Sequence, residues 1–387
     1  MTKLALIGDL RGPGFAALRT WHFRRLRPDA ELFDWRDPEL SQRVAGAEAI
    51  ATAGIYGPTL AAMRVVGDRP LWLDLPGDPF ADAEAVALRG GQEAPAEARR
   101  VFVAAIQRAD AFSSISARAR DALQGQLGML GREVPITVIP VPYAFPQPEA
   151  PRRNVSDVSN VSDPIRIGLI GSFNTWFDEQ CLADALIGLA RRHPVQLRVI
   201  GGETPGHFVD GFRNFRAQIV AAGLPVTWLP AQSDAELPAA LADAEVGVVL
   251  DRPGWEPHFG SRTRLLFYLW MGMRVVATCR CEQAQWLTKH GFLQEVLVGD
   301  TEGVIQALLQ RRPLPDRAPL RERWDPDRPG QPLRDWKPLR QKPAADAELL
   351  GELLREREQL RQELQALRAS PTWKLLDRLN RLRRGVI

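Results

Sequence analysis

The feature that most restricts the fold of this chain is an alternation of short apolar runs with amphipathic segments, which occurs twice. In the first half, the clearest helical patterns cover residues 93–109 and 117–130. Strands that alternate with helices form a parallel sheet with helices on both faces. We therefore predict an α/β domain over residues 1–150. Its expected strands are residues 4–7, 31–34, 49–53, 70–74, 111–114 and 136–141.

The alternation stops at a linker and then begins again. Residues 140–151 are rich in proline and residues 154–163 form a small polar repeat, which is typical of an exposed connection. A second α/β domain is predicted over residues 164–312, and we expect the two domains to face a cleft, a common place for a ligand. Its expected strands are residues 166–170, 196–200, 226–229, 246–250 and 274–278.

Composition argues against several classes of protein. A formal charge of +3 on 387 residues does not indicate a nucleic-acid partner. Three cysteines (Cys181, Cys279 and Cys281) are too few for a disulfide framework and fit a reducing cytosol. No second ligand pair accompanies Cys279 and Cys281, so we expect no metal there. The sequence shows no secretion leader and no membrane-spanning apolar run, which predicts a cytoplasmic protein.

The composition changes after the second domain. Residues 313–343 are rich in proline, arginine and aspartate, and we expect a connection with little helix or strand. Residues 344–387 are predicted to form a helical tail. Leucines near a 3.5-residue repeat over residues 344–369 predict either a short coiled coil or a helix packed on the body. Residues 371–384 combine an apolar and a basic face, which suits either an anionic membrane surface or a dimer contact.

The segment RTRLLFYLWMGMRVVAT (residues 262–278) predicts a helix, a tight turn at Gly272 and a buried strand. Arg262 and Arg264 lie in the first helical turn, whose backbone N–H groups have no intrahelical partner. Arginines are normally placed at the other end of a helix. The pair therefore indicates a bound anion, although solvated arginines on an amphipathic helix remain the alternative. The apolar face that would cover the sheet is Leu265, Leu266, Leu269 and Trp270.

Two loops of the first domain follow strand ends, where sheets of this kind bind ligands. One contains Gly12 and Gly14, a Gly-x-Gly that lacks the rest of a dinucleotide-binding fingerprint. The other contains Asp74 and Asp78, either of which could orient or deprotonate a hydroxyl group. The alternative is a structural role, as a cap for Asp74 and as a turn residue for Asp78.

Four segments are distinctive in their order and spacing: ADAFSSIS (109–116), TVIP (137–140), RIGLIGSFNTW (166–176) and RTRLLFYLWMGMRVVAT (262–278). They resemble segments of GT-B glycosyltransferases of the family 4 type, which build bacterial surface glycans from nucleotide-activated sugars. The resemblance covers about residues 1–310, and SPTWKLL (residues 370–376) resembles tails of bacterial glycan transferases. It implies transfer of a sugar, with retention at the anomeric carbon, to a glycan or lipid-linked acceptor, without cofactor or metal.

The resemblance also implies roles for particular residues. The first domain would bind the acceptor near Gly12 and Gly14, with Asp78 or Asp74 as the catalytic acid or base. The second would bind the donor, with its nucleobase near Gln232. The residues expected to surround the donor diphosphate, ribose and sugar are Gly171, Ser172, Phe173, Arg262, Thr263, Arg264 and Glu282.

One departure from the family pattern bears on activity. Many members have an acidic residue at the position of Phe267, and some have another at Phe259. Either Glu256 or Glu282 supplies the missing contact, or donor binding differs, or activity is weakened. The departure also motivates a second hypothesis, in which the protein is a non-catalytic partner that binds a glycan or another transferase. The D-x-D sequence at residues 325–327 resembles a metal-binding motif of some sugar transferases, but it lies in a proline-rich segment rather than at a strand end.

Overall fold

The computed structural model contains two α/β domains and a segment that returns from the second domain to the first. No helix among its described residues is both long and apolar enough to cross a membrane. The predicted tail over residues 344–387 lies outside them. The structure describes residues 3–11, 14–54, 56–77, 81, 96–145, 149–150, 163–203, 209–233, 235–278, 280–327 and 331–336.

The first domain has a parallel sheet of six strands in the order β2-β1-β3-β4-β5-β6. Strand order changes direction between β1 and β3. The strands are β1 Leu4–Gly8, β2 Glu31–Asp34, β3 Ala49–Thr52, β4 Leu71–Leu75, β5 Ala111–Ser114 and β6 Ile136–Val138. The helices are α1 Phe15–Leu26, α2 Leu40–Arg43, α3 Gly57–Val65, α4 Ala96–Arg108 and α5 Ala117–Met129.

The second domain repeats this architecture with the strand order β12-β11-β10-β7-β8-β9, all parallel. Its strands are β7 Ile165–Ile170, β8 Val195–Ile200, β9 Val226–Leu229, β10 Val246–Val249, β11 Arg274–Thr278 and β12 Gln294–Val296. Its helices are α6 Glu179–Ala190, α7 Val209–Ala221, α8 Leu237–Ala240, α9 Glu256–Phe259, α10 Thr263–Trp270, α11 Glu282–Lys289 and α12 Thr301–Leu309. The predicted pair of parallel α/β sheets is confirmed, whereas β12 was not predicted.

Buried apolar faces explain these elements. The strands of both sheets are rich in Val, Ile, Leu and Ala, and most of their residues are buried on both sides, as expected for parallel sheets covered by helices. In α10, Leu265, Leu266 and Leu269 are fully buried, as predicted from their helical spacing. Gly247 lets the Tyr268 ring lie directly on β10, because a Cβ atom there would come within 2.3 Å of that ring.

The carboxyl edges of the two sheets face each other. Helix α5 begins directly after β5, and α11 begins shortly after β11, so the N-terminus of each helix marks the carboxyl edge of its sheet. These two N-termini are in contact, since the carboxylate of Glu282 in α11 accepts a hydrogen bond from the backbone N–H of Ala117 in α5 (2.9 Å). The loops at both carboxyl edges therefore border the same interdomain space.

The segment after the second domain, expected to be a connection with little helix or strand, makes specific contacts that were not predicted. It contains the short helices α13 (Ala318–Arg323) and α14 (Gln331–Arg334), and it packs on the first domain. Leu333 is buried in the core of that domain, and the Trp336 ring lies 5.4 Å from the Trp72 ring. Proline and arginine enrichment concealed these contacts, because the helices are too short to give a periodic pattern.

The chain passes between the two domains twice, and hydrogen bonds and an ion pair join the two connecting segments, which we call the first and second crossing. Glu149, on the first crossing, accepts hydrogen bonds from Tyr143 (2.9 Å) and from Arg321 on the second (2.8 Å), and pairs with Arg317 (3.0 Å). Arg317 also donates to the carbonyl of Leu269 at the end of α10 (3.0 Å). This cluster therefore joins both crossings to the second domain.

Candidate functional site

The loops after β7 and β10 meet where the strand order of the second sheet changes direction. Ligands of open α/β sheets bind beyond the carboxyl ends of the strands at such a point. The backbone N–H of Asp178 donates to the carbonyl of Leu250 (2.9 Å), and that of Arg252 donates to the carbonyl of Trp176 (2.6 Å). Gly171 begins the first loop with a positive φ of 85°. The predicted donor-side loop thus lies at the general ligand position of this type of sheet.

Arg264 is a partly buried cation at this point, and no carboxylate among the described residues forms an ion pair with it. Its Nη2 donates to the carbonyl of Ser172. A Cβ atom on Gly171 would lie only 3.1 Å from its Nε, so glycine is what lets the guanidinium lie against this loop. Burial lowers the pKa of Arg264, but a guanidinium stays charged in proteins. The guanidinium of Arg264 therefore makes direct contact with the carbonyl of Ser172 and the ring of Phe177 (5.7 Å) rather than with a carboxylate, while Asp251 and Glu256 attract it from a greater distance.

Arg262 differs from Arg264, because two acids compensate its charge. Its Nε donates to both carboxylate oxygens of Asp251 (2.9 and 3.1 Å). Its Nη1 and Nη2 donate to the carboxylate of Glu256 (3.2 and 2.7 Å). Although burial opposes it, Asp251 and Glu256 raise the pKa of Arg262. This arrangement argues against the predicted phosphate contact by Arg262 and gives it the role of fixing the start of α10.

Two further predicted donor residues lie at the carboxyl edge. Thr263 is the first residue of α10; no acid lies in the first turn of this helix, and its N-cap makes no side-chain capping hydrogen bond. Such a turn presents backbone N–H groups to an anion. Gln232 follows the edge strand β9, and its Nε2 donates to the carbonyl of Pro230 (3.2 Å). Both residues lie at the edge of the sheet where a donor would bind, and their roles in donor binding remain predictions.

Phe173 does not present its side chain to the site. It is 2% exposed and belongs to an aromatic cluster in the core of the second domain. Its ring centre lies 4.6 Å from that of Phe177, 5.3 Å from that of Phe212 and 4.9 Å from that of Phe215. The side chain of Phe173 therefore anchors the loop that begins at Gly171, and a contact of this residue with the donor would come from its backbone.

Glu282, predicted to bind the donor, contacts the first domain instead. Its Oε2 accepts hydrogen bonds from the backbone N–H groups of Ala117 (2.9 Å) and Arg118 (3.4 Å). A carboxylate at this position satisfies orphan donors and interacts favourably with the helix dipole. The sequence could not reveal this contact, because 165 residues separate the two partners.

The acids considered as substitutes for the missing family residues are thus both engaged, Glu256 with Arg262 and Glu282 with α5. Phe267 is 5% exposed, and its ring packs edge-on against that of Phe145 (5.2 Å between centres). Phe259 stacks on Trp255 (5.7 Å, 15° between planes). The two phenylalanines are therefore parts of aromatic contacts rather than acids directed at a ligand.

Asp74, one of the two predicted catalytic acids, is fully buried at the end of β4. It receives two hydrogen bonds from Arg19 (3.0 and 2.5 Å), one from the backbone N–H of Gly54 (3.0 Å) and one from Ser113 (2.7 Å). Four donors occupy a carboxylate that has about four acceptor positions. This arrangement argues against the catalytic role, because no position remains for an acceptor hydroxyl group.

Of the other three residues predicted on the acceptor side, one belongs to the part of the chain that the structure describes. Gly14 precedes α1 with a φ of 91°, and a Cβ atom there would meet no other atom within 4 Å. This glycine therefore borders open space, as a binding loop requires. Gly12 and Asp78 lie outside the described residues, and their roles remain predictions.

The D-x-D sequence makes structural contacts on the first domain. Asp327 accepts two hydrogen bonds from Arg25 of α1 (2.8 and 2.7 Å), and Asp325 accepts one from the backbone N–H of Asp327 (2.9 Å). Within the described part of the chain, no group of three or more His, Cys, Asp or Glu side chains is arranged to hold a metal ion. This sequence therefore belongs to the contact between the returning segment and the first domain.

Comparison with known proteins identifies the fold. No family model and no curated protein sequence matches the chain. Among solved structures, HepE of Anabaena in complex with UDP-glucose has a TM-score of 0.55 and 18% sequence identity, with 86% of this chain and 98% of HepE covered. Sucrose-phosphate synthase from Thermosynechococcus elongatus has a TM-score of 0.56 and 14% identity, with 95% of this chain and all of that chain covered.

The chain has the GT-B fold, the architecture of two parallel α/β domains found in these glycosyltransferase structures. The fold expected from the sequence is thereby confirmed. At identities this low the likeness concerns the fold alone, so activity has to be argued from the site.

Proposed function

We propose that the protein is a glycosyltransferase that moves a sugar from a nucleotide-sugar donor to a glycan or lipid-linked glycan. The proposal is supported by the cation at the change in strand order of the second sheet, together with the fold. HepE, which shares the fold, has been crystallised with UDP-glucose. A UDP-sugar is therefore the donor to test first.

The observation that carries the proposal is the position of Arg264 between the loop at Gly171 and the N-terminus of α10. When the bond between the anomeric carbon and the nucleoside diphosphate breaks, negative charge develops on the leaving phosphate. Fixed donors and positive charge that are aimed at this charge lower the barrier. Arg264 and the N–H groups of the first turn of α10 can supply both, and Arg262 would keep that turn in place through Asp251 and Glu256. This mechanism needs no metal ion.

The remaining roles in the proposal concern the acceptor and the setting. Asp78 is proposed to orient or deprotonate the acceptor hydroxyl group, beside a loop formed by Gly12 and Gly14. Gln232 is proposed to lie near the nucleobase. The resemblance supports a retaining reaction in bacterial surface polysaccharide or glycoconjugate synthesis. The proposed location is the cytoplasm, at the inner face of the membrane, with the tail forming either the membrane contact or a homodimer.

The proposal is tested by isothermal titration of the full-length protein with UDP, UDP-glucose and the corresponding guanosine and thymidine compounds. We expect Arg264→Ala to weaken binding of the preferred nucleotide about 10- to 100-fold, the equivalent of a charged hydrogen bond. Arg198→Ala is the matched control, because Arg198 pairs with Asp243 on the same domain away from this loop. Absence of binding by every nucleotide, or equal affinity of the Arg264 and control variants, would contradict the proposal.

The second candidate is a GT-B protein that binds a donor or a glycan without transfer. It is favoured by one observation, namely that Phe267 and Phe259 make aromatic contacts where family members have acids. Release of UDP from the preferred donor in the presence of acceptor separates the two candidates. The glycosyltransferase proposal predicts turnover that EDTA leaves unchanged and that Asp78→Asn reduces without loss of donor binding. Binding without turnover would favour the second candidate.

A further inference from the structure

Four side chains join the two domains at the edge of the interdomain space, and we call them the latch: Ser116, Arg118, Glu282 and Gln285. Ser116 and Arg118 belong to the start of α5 in the first domain, whereas Glu282 and Gln285 belong to α11 in the second. Helix α5 follows a strand of one sheet and α11 follows a strand of the other. The latch is therefore placed where movement of one domain relative to the other must make or break it.

Glu282 is the central contact of the latch. It is the first residue of α11, so its carboxylate lies near the positive end of its own helix while it accepts hydrogen bonds from the first N–H groups of α5. Two helix N-termini from different domains thus share one negative charge. Removing that charge would leave orphan N–H groups on α5 and bring two like dipole ends together.

The contact is made in both directions. Arg118 reaches from α5 to the second domain, where it donates to the carbonyl of Arg280 (3.1 Å) and to the side chain of Gln285. The hydroxyl group of Ser116 donates to the carbonyl of Phe259 (3.3 Å) while it caps α5 through the N–H of Ala119. The latch is consequently a reciprocal set of polar contacts that depends on one relative placement of the domains.

The residue next to Glu282 connects the latch to the candidate donor site. Gln283 accepts hydrogen bonds from the backbone N–H of Arg262 (3.0 Å) and from the hydroxyl group of Ser261 (3.1 Å), directly before α10. Its Nε2 is buried without a hydrogen-bond partner among the described residues, which is an incompletely satisfied arrangement. Consecutive residues of α11 therefore hold the opposite domain and the start of the helix that carries Arg264.

We infer that the latch closes the two domains and couples this closure to donor binding through α11. Glu282 and Arg118 are then positioning residues, because they contact neither the donor nor the acceptor and act by setting the distance between the two domains. The coupling part rests on the proposed function, whereas closure by the latch does not. Because coupling between sites is reciprocal, a nucleotide that orders the start of α10 should also favour the closed form.

Spin-label distance measurements on the full-length protein test the inference. The spin labels are carried by unnatural amino acids rather than by cysteines. These amino acids replace Met129 (83% exposed) in the first domain and Leu297 (71% exposed) in the second. Without nucleotide, we expect Glu282→Gln/Arg118→Ala to broaden the distance distribution and add a population absent from the parent. The matched control is Arg120→Ala/Glu302→Gln, because Arg120 pairs with Asp121 and Glu302 with Arg192, each within one domain. An unchanged distribution in the latch variant would overturn the inference.

Nucleotide binding then tests the coupling. We expect UDP, or whichever nucleotide the parent binds, to narrow the distribution of spin-label distances in the parent. We expect the latch variant to bind this nucleotide at least about five-fold more weakly, because five-fold is the lower end of typical coupling between sites. A broadened distribution with parental affinity would overturn the coupling and leave closure by the latch supported. If no nucleotide binds the parent, the proposed function fails, and the measurement without nucleotide still decides the latch.

Discussion

The two domains differ in the partners that they provide for arginine side chains at the carboxyl edges of their sheets. In the first domain, Arg19 is fully buried and Asp74 neutralises it within a set of hydrogen bonds that uses every acceptor position. In the second, Asp251 and Glu256 both pair directly with Arg262, whereas Arg264, among the described residues, has the carbonyl of Ser172 as its hydrogen-bond partner. Two of these three arginines are held in direct ion pairs, and the third is the one that we propose to bind an external anion.

The comparison shows why a charged residue at a strand end is not by itself a functional signal. A buried ion pair whose hydrogen bonds are complete is costly to disturb and has nothing left to offer a ligand. A cation with only neutral partners has the opposite properties, since its remaining N–H groups gain most from a negatively charged partner. The distinction depends on partners that are distant in sequence.

The largest expected effect is on stability, from Asp74→Ala. This substitution leaves the Arg19 guanidinium buried without its carboxylate, and breaking such a pair typically costs about 3–5 kcal/mol. We expect a loss of that size in the unfolding free energy, measured by chemical denaturation. Ser113→Ala, which removes one of the four hydrogen bonds to Asp74, should cost about 1 kcal/mol. If Asp74→Ala instead abolished turnover with normal stability, Asp74 would be a catalytic residue after all.

How far the sequence predicts this molecule follows from which interactions are local. Apolar alternation is a local pattern, so it predicted both sheets, and the helix over Thr263–Trp270 was predicted from its own spacing. Arg262 and Arg264 looked equivalent because both precede the same apolar face. They are two positions apart at a helix start, however, and leave it in different directions. One meets acids from the loop and helix after β10, and the other meets the loop after β7.

Long-range contacts also account for the other differences. Glu282 of the second domain contacts α5 of the first. Phe173 is buried in an aromatic cluster whose members are up to 42 residues apart in the chain. Nothing local distinguishes these side chains from donor-binding ones. A signal that could have been used was present for Asp251, because an acid that directly follows a buried strand at a change in strand order is well placed to fix a neighbouring arginine.

An effect of intermediate size is expected from a change in pH, which alters the unfolding free energy because the first domain keeps His22 neutral. Burial, followed by the charge of Arg19, lowers the pKa of His22 to about 3, and its Nε2 contacts the carbonyl of Pro326 on the returning segment (2.8 Å). The unfolded chain takes up a proton at His22 below about pH 6.5, whereas the folded chain does not. The unfolding free energy should therefore fall as the pH decreases through this window, by about 1.4 kcal/mol per pH unit from this group.

Denaturation between pH 7 and pH 5 measures this slope, and His22→Gln is the control because it cannot take up the proton. We expect the variant to have a shallower dependence on pH than the parent. Identical slopes would show that His22 takes up its proton at the same pH in the folded and unfolded chains, so that burial does not keep it neutral.

The smallest expected effect compares two glycines that both have a positive φ but have different neighbours. Gly14 and Gly171 follow the first strand of their respective domains with φ angles of 91° and 85°, so alanine at either position should cost about 1–3 kcal/mol of stability. Only at Gly171 would the new methyl group press on the Arg264 guanidinium, 3.1 Å away, whereas at Gly14 it would meet open space. We therefore expect Gly171→Ala, but not Gly14→Ala, to weaken nucleotide binding about ten-fold in isothermal titration, which corresponds to about 1.4 kcal/mol. Equal affinities in the two variants would mean that Arg264 does not bind the nucleotide from its position against Gly171, and the contrast between the two domains would then be one of packing alone.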